Sequence, residues 1–158
     1  MRFILLDKVT ELVPGEKIEA QKALSLAEEY LADHFPAFPV LPGVMMIEAI
    51  VQTAAMLVRV TNDFSHSMIV LSEARNVKYK SFVKPGNILR MSVQAKNISP
   101  DSSSFIGAVH VEDQSMVEAR VKLRHFNLAD QDASMAALDA KILDEMRNRA
   151  QLVGAIKK

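Results

Sequence analysis

The run Gly43-Val-Met-Met-Ile-Glu-Ala-Ile-Val-Gln-Thr-Ala-Ala-Met-Leu-Val-Arg-Val60 decides the fold. It is too long and too rich in Ala and Met for a single strand. It predicts a helix of about four to five turns, apolar nearly all round and hence buried on most sides. Pro36, Pro39 and Pro42 precede it at a spacing of three. Prolines so placed prevent regular helix and impose a stiff, extended path up to the first turn. Residues 40–58 form the most apolar stretch of the chain, yet Pro42, Gly43, Glu48 and Gln52 interrupt it. A spanning helix takes about 20 mostly apolar residues, so this one is expected inside a protein core and not in a membrane.

Upstream of this helix, residues 5–13 and 17–26 flank Pro14-Gly15 and read as a hairpin. Residues 28–31 suit a short helical turn. Downstream, residues 61–67 are a polar loop, and the period then changes. Residues 68–80, 88–98, 104–112 and 116–126 are strand candidates. Lys84-Pro85-Gly86-Asn87, Ser99-Pro100-Asp101-Ser102 and Glu112-Asp113-Gln114 separate them as turns, which predicts an antiparallel meander. After polar residues 130–134, Met135, Leu138, Ile142, Met146 and Ala150 recur at helical spacing, with Leu143 and Val153 beside them. They predict an amphipathic C-terminal helix. The expected class is α+β, with an antiparallel sheet curled around one central helix.

Composition narrows the chemistry. At 158 residues, 49% hydrophobic and 24% charged, the chain fits one ordinary globular domain. Nineteen Lys/Arg balance nineteen Asp/Glu, which argues against nucleic-acid binding through a strongly basic surface. The absence of Cys removes disulfides, thiolate nucleophiles and Cys-ligated metals together. No glycine-rich phosphate loop is present. The apolar run before Asp7 is too short for a secretory signal, so a cytoplasmic protein is expected.

What remains is acid–base chemistry. Glu48 lies within the apolar helix, and burying an ionised carboxylate costs several kcal/mol unless it is paired. A neutral carboxylic acid avoids that cost and can donate a proton. Gln52 lies one turn further on the same face and could orient Glu48 by a hydrogen bond. Solvent, or an Arg from a partner chain, would equally satisfy the carboxylate. His34 stands before the rigid prolines, and imidazole moves protons near neutral pH. Gly43 opens the helix, where backbone N–H groups lack intrahelical partners and can stabilise a growing oxyanion. Base, acid and oxyanion donor together suit removal of a proton alpha to a carbonyl with expulsion of a neighbouring hydroxyl. Such a reaction uses no cofactor. His66, His110 and His125 show no metal-ligand spacing, so no metal site is expected.

The string from His34 through Phe35, Pro36, Pro39, Val40, Pro42, Gly43, Val44, Glu48 and Ala49 to Gln52 resembles the beta-hydroxyacyl-[acyl-carrier-protein] dehydratase family. The likeness extends over residues 3–126 and includes Lys84-Pro85-Gly86-Asn87. It implies the hotdog fold, a long central helix wrapped by an antiparallel sheet, over residues 1–128, with residues 129–158 as a helical extension. It also implies that His34 and Glu48 form the catalytic pair, contributed by different subunits of a homodimer, with trimers of dimers common. Gly43 would offer its N–H to the thioester carbonyl of a (3R)-hydroxyacyl chain on acyl carrier protein, giving a trans-2-enoyl thioester. Related hotdog activities, isomerisation or thioester hydrolysis, and a non-catalytic acyl-binding subunit are the alternatives.

Four features depart from the family pattern. Ala37 replaces a Gly, Asp33 precedes the His, Ser72-Glu73-Ala74 lacks a Gly-containing segment, and the C-terminal helix is extra. An acidic carrier calls for a basic patch, for which Lys78, Lys80 and Lys84, flanked by Arg75 and Arg90, are the candidates.

Overall fold

The computed structural model describes residues 3–158. Strands β1 (Lys8–Val13) and β2 (Lys17–Ala23) precede helix α1 (Gly43–Thr61). Strands β3 (Met68–Tyr79), β4 (Ile88–Ile98), β5 (Ser102–Val111) and β6 (Gln114–Phe126) follow, and helix α2 (Ala136–Leu152) ends the fold. One six-stranded antiparallel sheet has the order β1-β2-β4-β5-β6-β3. The β1–β2 hairpin turns at Gly15, whose φ of +77° favours glycine. The Thr61 hydroxyl at the end of α1 accepts from the Gly15 N–H at 2.8 Å and ties the hairpin to the helix.

The four downstream strands are not a simple meander. Only β4, β5 and β6 run as neighbours in sequence order, whereas β3 crosses to the far side of β6 and becomes an edge. The crossing is made by residues 80–87, which are anchored where Leu41 N–H donates to Val83 O at 2.9 Å and Gly86 N–H to Leu24 O at 2.8 Å. Alternation fixes which face each strand buries. In β6, Val117, Ala119, Val121, Leu123 and His125 point inward, and exposed Arg120, Lys122 and Arg124 point outward.

Helix α1 lies against the inner face. Ala49, Ile50, Ala54 and Leu57 are all 0% exposed. Each buried large aliphatic side chain contributes about 1.5–3 kcal/mol. At Gly107 on β5 the missing side chain makes room for Ile50. By length and hydropathy α1 could cross a membrane, but its apolar surface packs on the sheet. The helix is also less enclosed than its sequence suggests. Val44 is 68% exposed, and Met45, Glu48, Gln52 and Ala55 are half-buried. A sheet on one side leaves one stripe of the helix uncovered, and that stripe carries Glu48.

Helix α2 docks through Leu143, Met146, Ala150 and Val153 as its periodicity suggests, but not through the first members of that stripe. Met135 and Leu138 are 39% and 43% exposed, while Asp139, Ala150 and Val153 are buried with Leu143 and Met146 beside them. The Asp139 carboxylate turns inward because it has donors there. Its Oδ1 accepts from Leu128 N–H at 2.9 Å and from the Ser67 hydroxyl, and its Oδ2 accepts from Ala129 N–H at 2.8 Å. Burial alone would raise its pKa, but these hydrogen bonds hold it below the usual carboxylate value. A lowered folded-state pKa stabilises the fold at pH values above the unfolded one, near 3.9, and this contribution is lost as pH falls through the folded value. Asp139→Asn should therefore lower Tm at neutral pH, and the gap from wild type should close in strong acid. Thermal melts across pH 2–7 measure this, and a pH-independent gap would refute the carboxylate's role.

Candidate active site

His34 belongs to the irregular segment between a 3-10 turn at Glu29–Leu31 and α1. Phe35 and Phe38 exchange backbone hydrogen bonds at 3.2 and 3.0 Å, and Val40 N–H donates to His34 O at 3.1 Å. These bonds close residues 34–40 into a compact loop. The His34 Nδ1 lies 3.1 Å from Val40 O. A carbonyl only accepts, so Nδ1 carries the proton and Nε2 of the neutral ring keeps its lone pair for a base's work. The ring stacks on Phe35 with centroids 4.3 Å apart, which restrains its rotation. Asp33 and Ala37 are both exposed. Ala37 is not among the positive-φ residues, so its Cβ brings no backbone strain.

Glu48 is held from its own helix. Gln52 Nε2 donates to Glu48 Oε1 at 3.0 Å and to Phe3 O at 2.8 Å, while Gln52 Oε1 accepts from Leu5 N–H at 2.9 Å. The Leu5 N–H requires an oxygen opposite it, so the amide orientation is set by the N-terminal segment. Because Glu48 Oε1 accepts a hydrogen bond, the acid proton of a neutral Glu48 resides on Oε2. Both residues line a cavity of about 200 Å³ with Val51, Met56, Arg59 and Ile69, closed on one side by Met146 and Arg149 of α2. His34 does not belong to this lining.

Gly43 starts α1, and Met45 N–H donates to Pro42 O at 2.9 Å. Among the described residues no backbone group accepts from the Gly43 N–H. A Cβ here would lie 2.9 Å from Tyr79 Cε1, so the glycine is needed for the approach of that ring. The bare Cα face of Gly43 is therefore covered by protein.

The basic residues are dispersed in what they do. Lys80 Nζ pairs with Glu118 Oε1 at 2.6 Å, and Lys84 Nζ sits 5.2 Å from the Phe38 ring centroid. Lys78, on β3, is exposed opposite Glu118 in the β3–β6 register. Arg75 pairs with Glu73, and Arg90 reaches the Glu112 carbonyl at 3.3 Å. Ser72 falls at a register shift in β3 and donates to Lys122 O. His125 is buried against Ser103, His66 pairs with its neighbour Ser65, and no group of three or more possible metal ligands occurs among the described residues.

Sequence reasoning missed Arg59 and Arg149. Arg59 was legible, because residues 48, 52, 55 and 59 fall on one helical stripe. Nothing local could place Arg149 opposite them.

The architecture defines an α+β hotdog protein. A family model described as the FabA-like domain matches residues 1–143, and the chain belongs to that family. It is similar to the 3-hydroxyacyl-[acyl-carrier-protein] dehydratase FabZ of Ruminiclostridium cellulolyticum, with 38% identity over 92 residues. That match covers 58% of this chain and 65% of the relative, just under two thirds of the relative's length. The FabZ of Lactobacillus helveticus is 31% identical over 119 residues, covering 75% of this chain and 80% of the relative. Among solved structures, the dehydratase heterocomplex ApeI:P from Xenorhabdus doucetiae matches with a TM-score of 0.70 at 18% identity. It covers 85% of this chain and 90% of that one and establishes the likeness of fold.

Proposed function

We propose that the chain dehydrates (3R)-hydroxyacyl thioesters carried on acyl carrier protein to trans-2-enoyl thioesters. The observation that carries this reading is a pair of pre-oriented groups: His34 held at Nδ1 by Val40 O, which leaves Nε2, and Glu48 held at Oε1 by Gln52, which leaves Oε2. Nε2 removes the proton from C2, and charge grows on the thioester oxygen, to which the Gly43 N–H donates. Glu48 Oε2–H protonates the C3 hydroxyl, which leaves as water. The imidazolium then returns its proton to the Glu48 carboxylate, so the cycle closes with loss of one water and no cofactor. Incubation with a 3-hydroxyacyl thioester tests this, with the conjugated enoyl absorbance expected to rise. Folded protein that yields no enoyl product refutes it.

The site is completed by a second copy. His34 stands apart from the Glu48 cavity, β3 leaves an unpaired sheet edge, and Val44, Leu71 and Tyr79 are exposed near it. A homodimer with sites shared between subunits brings His34 of one protomer to Glu48 of the other, and trimers of such dimers are the larger assembly. Residues 1–128 form the dehydratase unit in this reading and 129–158 an appended helical segment. A carrier-borne substrate places the activity in the cytoplasm.

The carrier's acidic surface would meet Lys78 and Lys84 first, because Lys80 already has Glu118. Reversing Lys78 and Lys84 to Glu is expected to raise KM for a carrier-bound substrate severalfold while a small thioester mimic is turned over as before. Equal effects on both substrates would dismiss the patch.

A further inference from the structure

We propose that the cavity behind Glu48 is an anion-binding end pocket, in which Arg59 and Arg149 receive a negatively charged terminus of the acyl chain. The inference rests on the dehydratase reading for the identity of the chain that enters. Its basis is geometric. Glu48, Gln52, Ala55 and Arg59 share one stripe of α1 and one cavity. Eleven residues of helix span about 16 Å, so a chain reacting at Glu48 runs toward Arg59 with Met56 and Ile69 beside it. The far wall is α2, through Met146 and Arg149. At about 200 Å³ the cavity holds a short chain.

The charges at its end lack counterions. Arg59 is only 8% exposed, and its guanidinium donates to two neutral carbonyls, His66 O at 2.9 Å and Ser67 O at 3.1 Å. Among the described residues neither Arg59 nor Arg149 is in any ion pair. Burial, and then the charge of Arg149, pull the Arg59 pKa down to about 10, so the group stays cationic at neutral pH while under strain from both. Two guanidinium groups around one small cavity relieve that strain by taking a carboxylate, which accepts from the N–H groups of Arg149 and from those of Arg59 that the two carbonyls leave. Glu48 is the one acidic residue in the lining, and its Oε1 is already held by Gln52.

The test uses the full chain and pairs of 3-hydroxyacyl thioesters of equal length, ending in either methyl or carboxylate. Wild type is expected to favour the carboxylate-terminated substrate by about tenfold or more in kcat/KM. Arg149→Gln should collapse that ratio toward one, and Arg149→Lys should restore part of it. A purely structural Arg149 would lower both rates alike and leave the ratio, which overturns the proposal, as does a wild-type ratio at or below one. If neither substrate is turned over, the dehydratase reading fails, and binding then decides the pocket. Hexanoate, but not 1-hexanol, should raise Tm, and Arg149→Gln should abolish the rise. An equal response to the acid and the alcohol, or none, overturns the pocket.

Discussion

His34→Ala and Glu48→Gln are each expected to lower dehydration turnover by about 10²–10⁴-fold, the usual contribution of a positioned acid or base. Neither change should unfold the protein, since both side chains are only half-buried. Gln at 48 keeps an oxygen to accept from Gln52 Nε2 but has no proton of the required acidity to give. Kinetic assays and thermal melts on the same preparations separate loss of chemistry from loss of fold. Mixing makes the sharper measurement. If each site takes His34 from one protomer and Glu48 from the other, a mixed dimer of the two variants retains one intact site. Random reassembly of equal amounts should then recover about a quarter of the wild-type rate, because half of the dimers are mixed and each has one good site of two. No recovery would place both groups in one chain and overturn the shared site.

Gly107→Ala is expected to destabilise the fold by about 1–3 kcal/mol through overpacking. The added Cβ would overlap Ile50 Cγ2 and lie 3.3 and 3.4 Å from Ile50 Cγ1 and Cβ. Those atoms sit at the branch point of a fully buried side chain and cannot swing aside. The helix or the strand has to move instead. A chain of this size loses roughly 2–4 °C in Tm per kcal/mol, so the effect is measurable by thermal melting. Ile50→Ala should offset much of it, giving a double variant less destabilised than the sum of the two singles. Strict additivity would show that the strain lies elsewhere. Gly43 offers the contrast. The ring its Cβ would meet, Tyr79, is 52% exposed and free to rotate outward, so Gly43→Ala should move Tm far less.

The two glycines show how far sequence reaches. Gly43 stood out because it opens an apolar helix after three spaced prolines, whereas its requirement for Tyr79 depends on a strand that begins at Met68. Gly107 had no local signal at all. It sits in ordinary strand alternation, and only the crossing of α1 over β5 makes it indispensable. The same division runs through the site. His34, Glu48 and Gln52 were legible because a histidine among prolines and two polar residues one turn apart in an apolar helix are local anomalies. Their bonding was not, since Gln52 is oriented by Phe3 and Leu5, nearly fifty positions away.

By itself the sequence determined the elements, their approximate bounds, the central helix and the candidates His34 and Glu48, because each follows from periodicity or from a residue that conflicts with its surroundings. Tertiary structure alone decided the strand order, the burial of Asp139 on α2 and the closure of the Glu48 cavity by Met146 and Arg149. Strand order depends on which edge residues 80–87 reach, and periodicity carries no information about neighbours. Asp139 of α2 is a residue that pattern assigns to solvent and that donors from Ser67, Leu128 and Ala129 draw inside. Hydrophobic pattern specifies which surfaces leave water, but it does not specify which buried surface meets which, and here that meeting is what gives the cavity its charge.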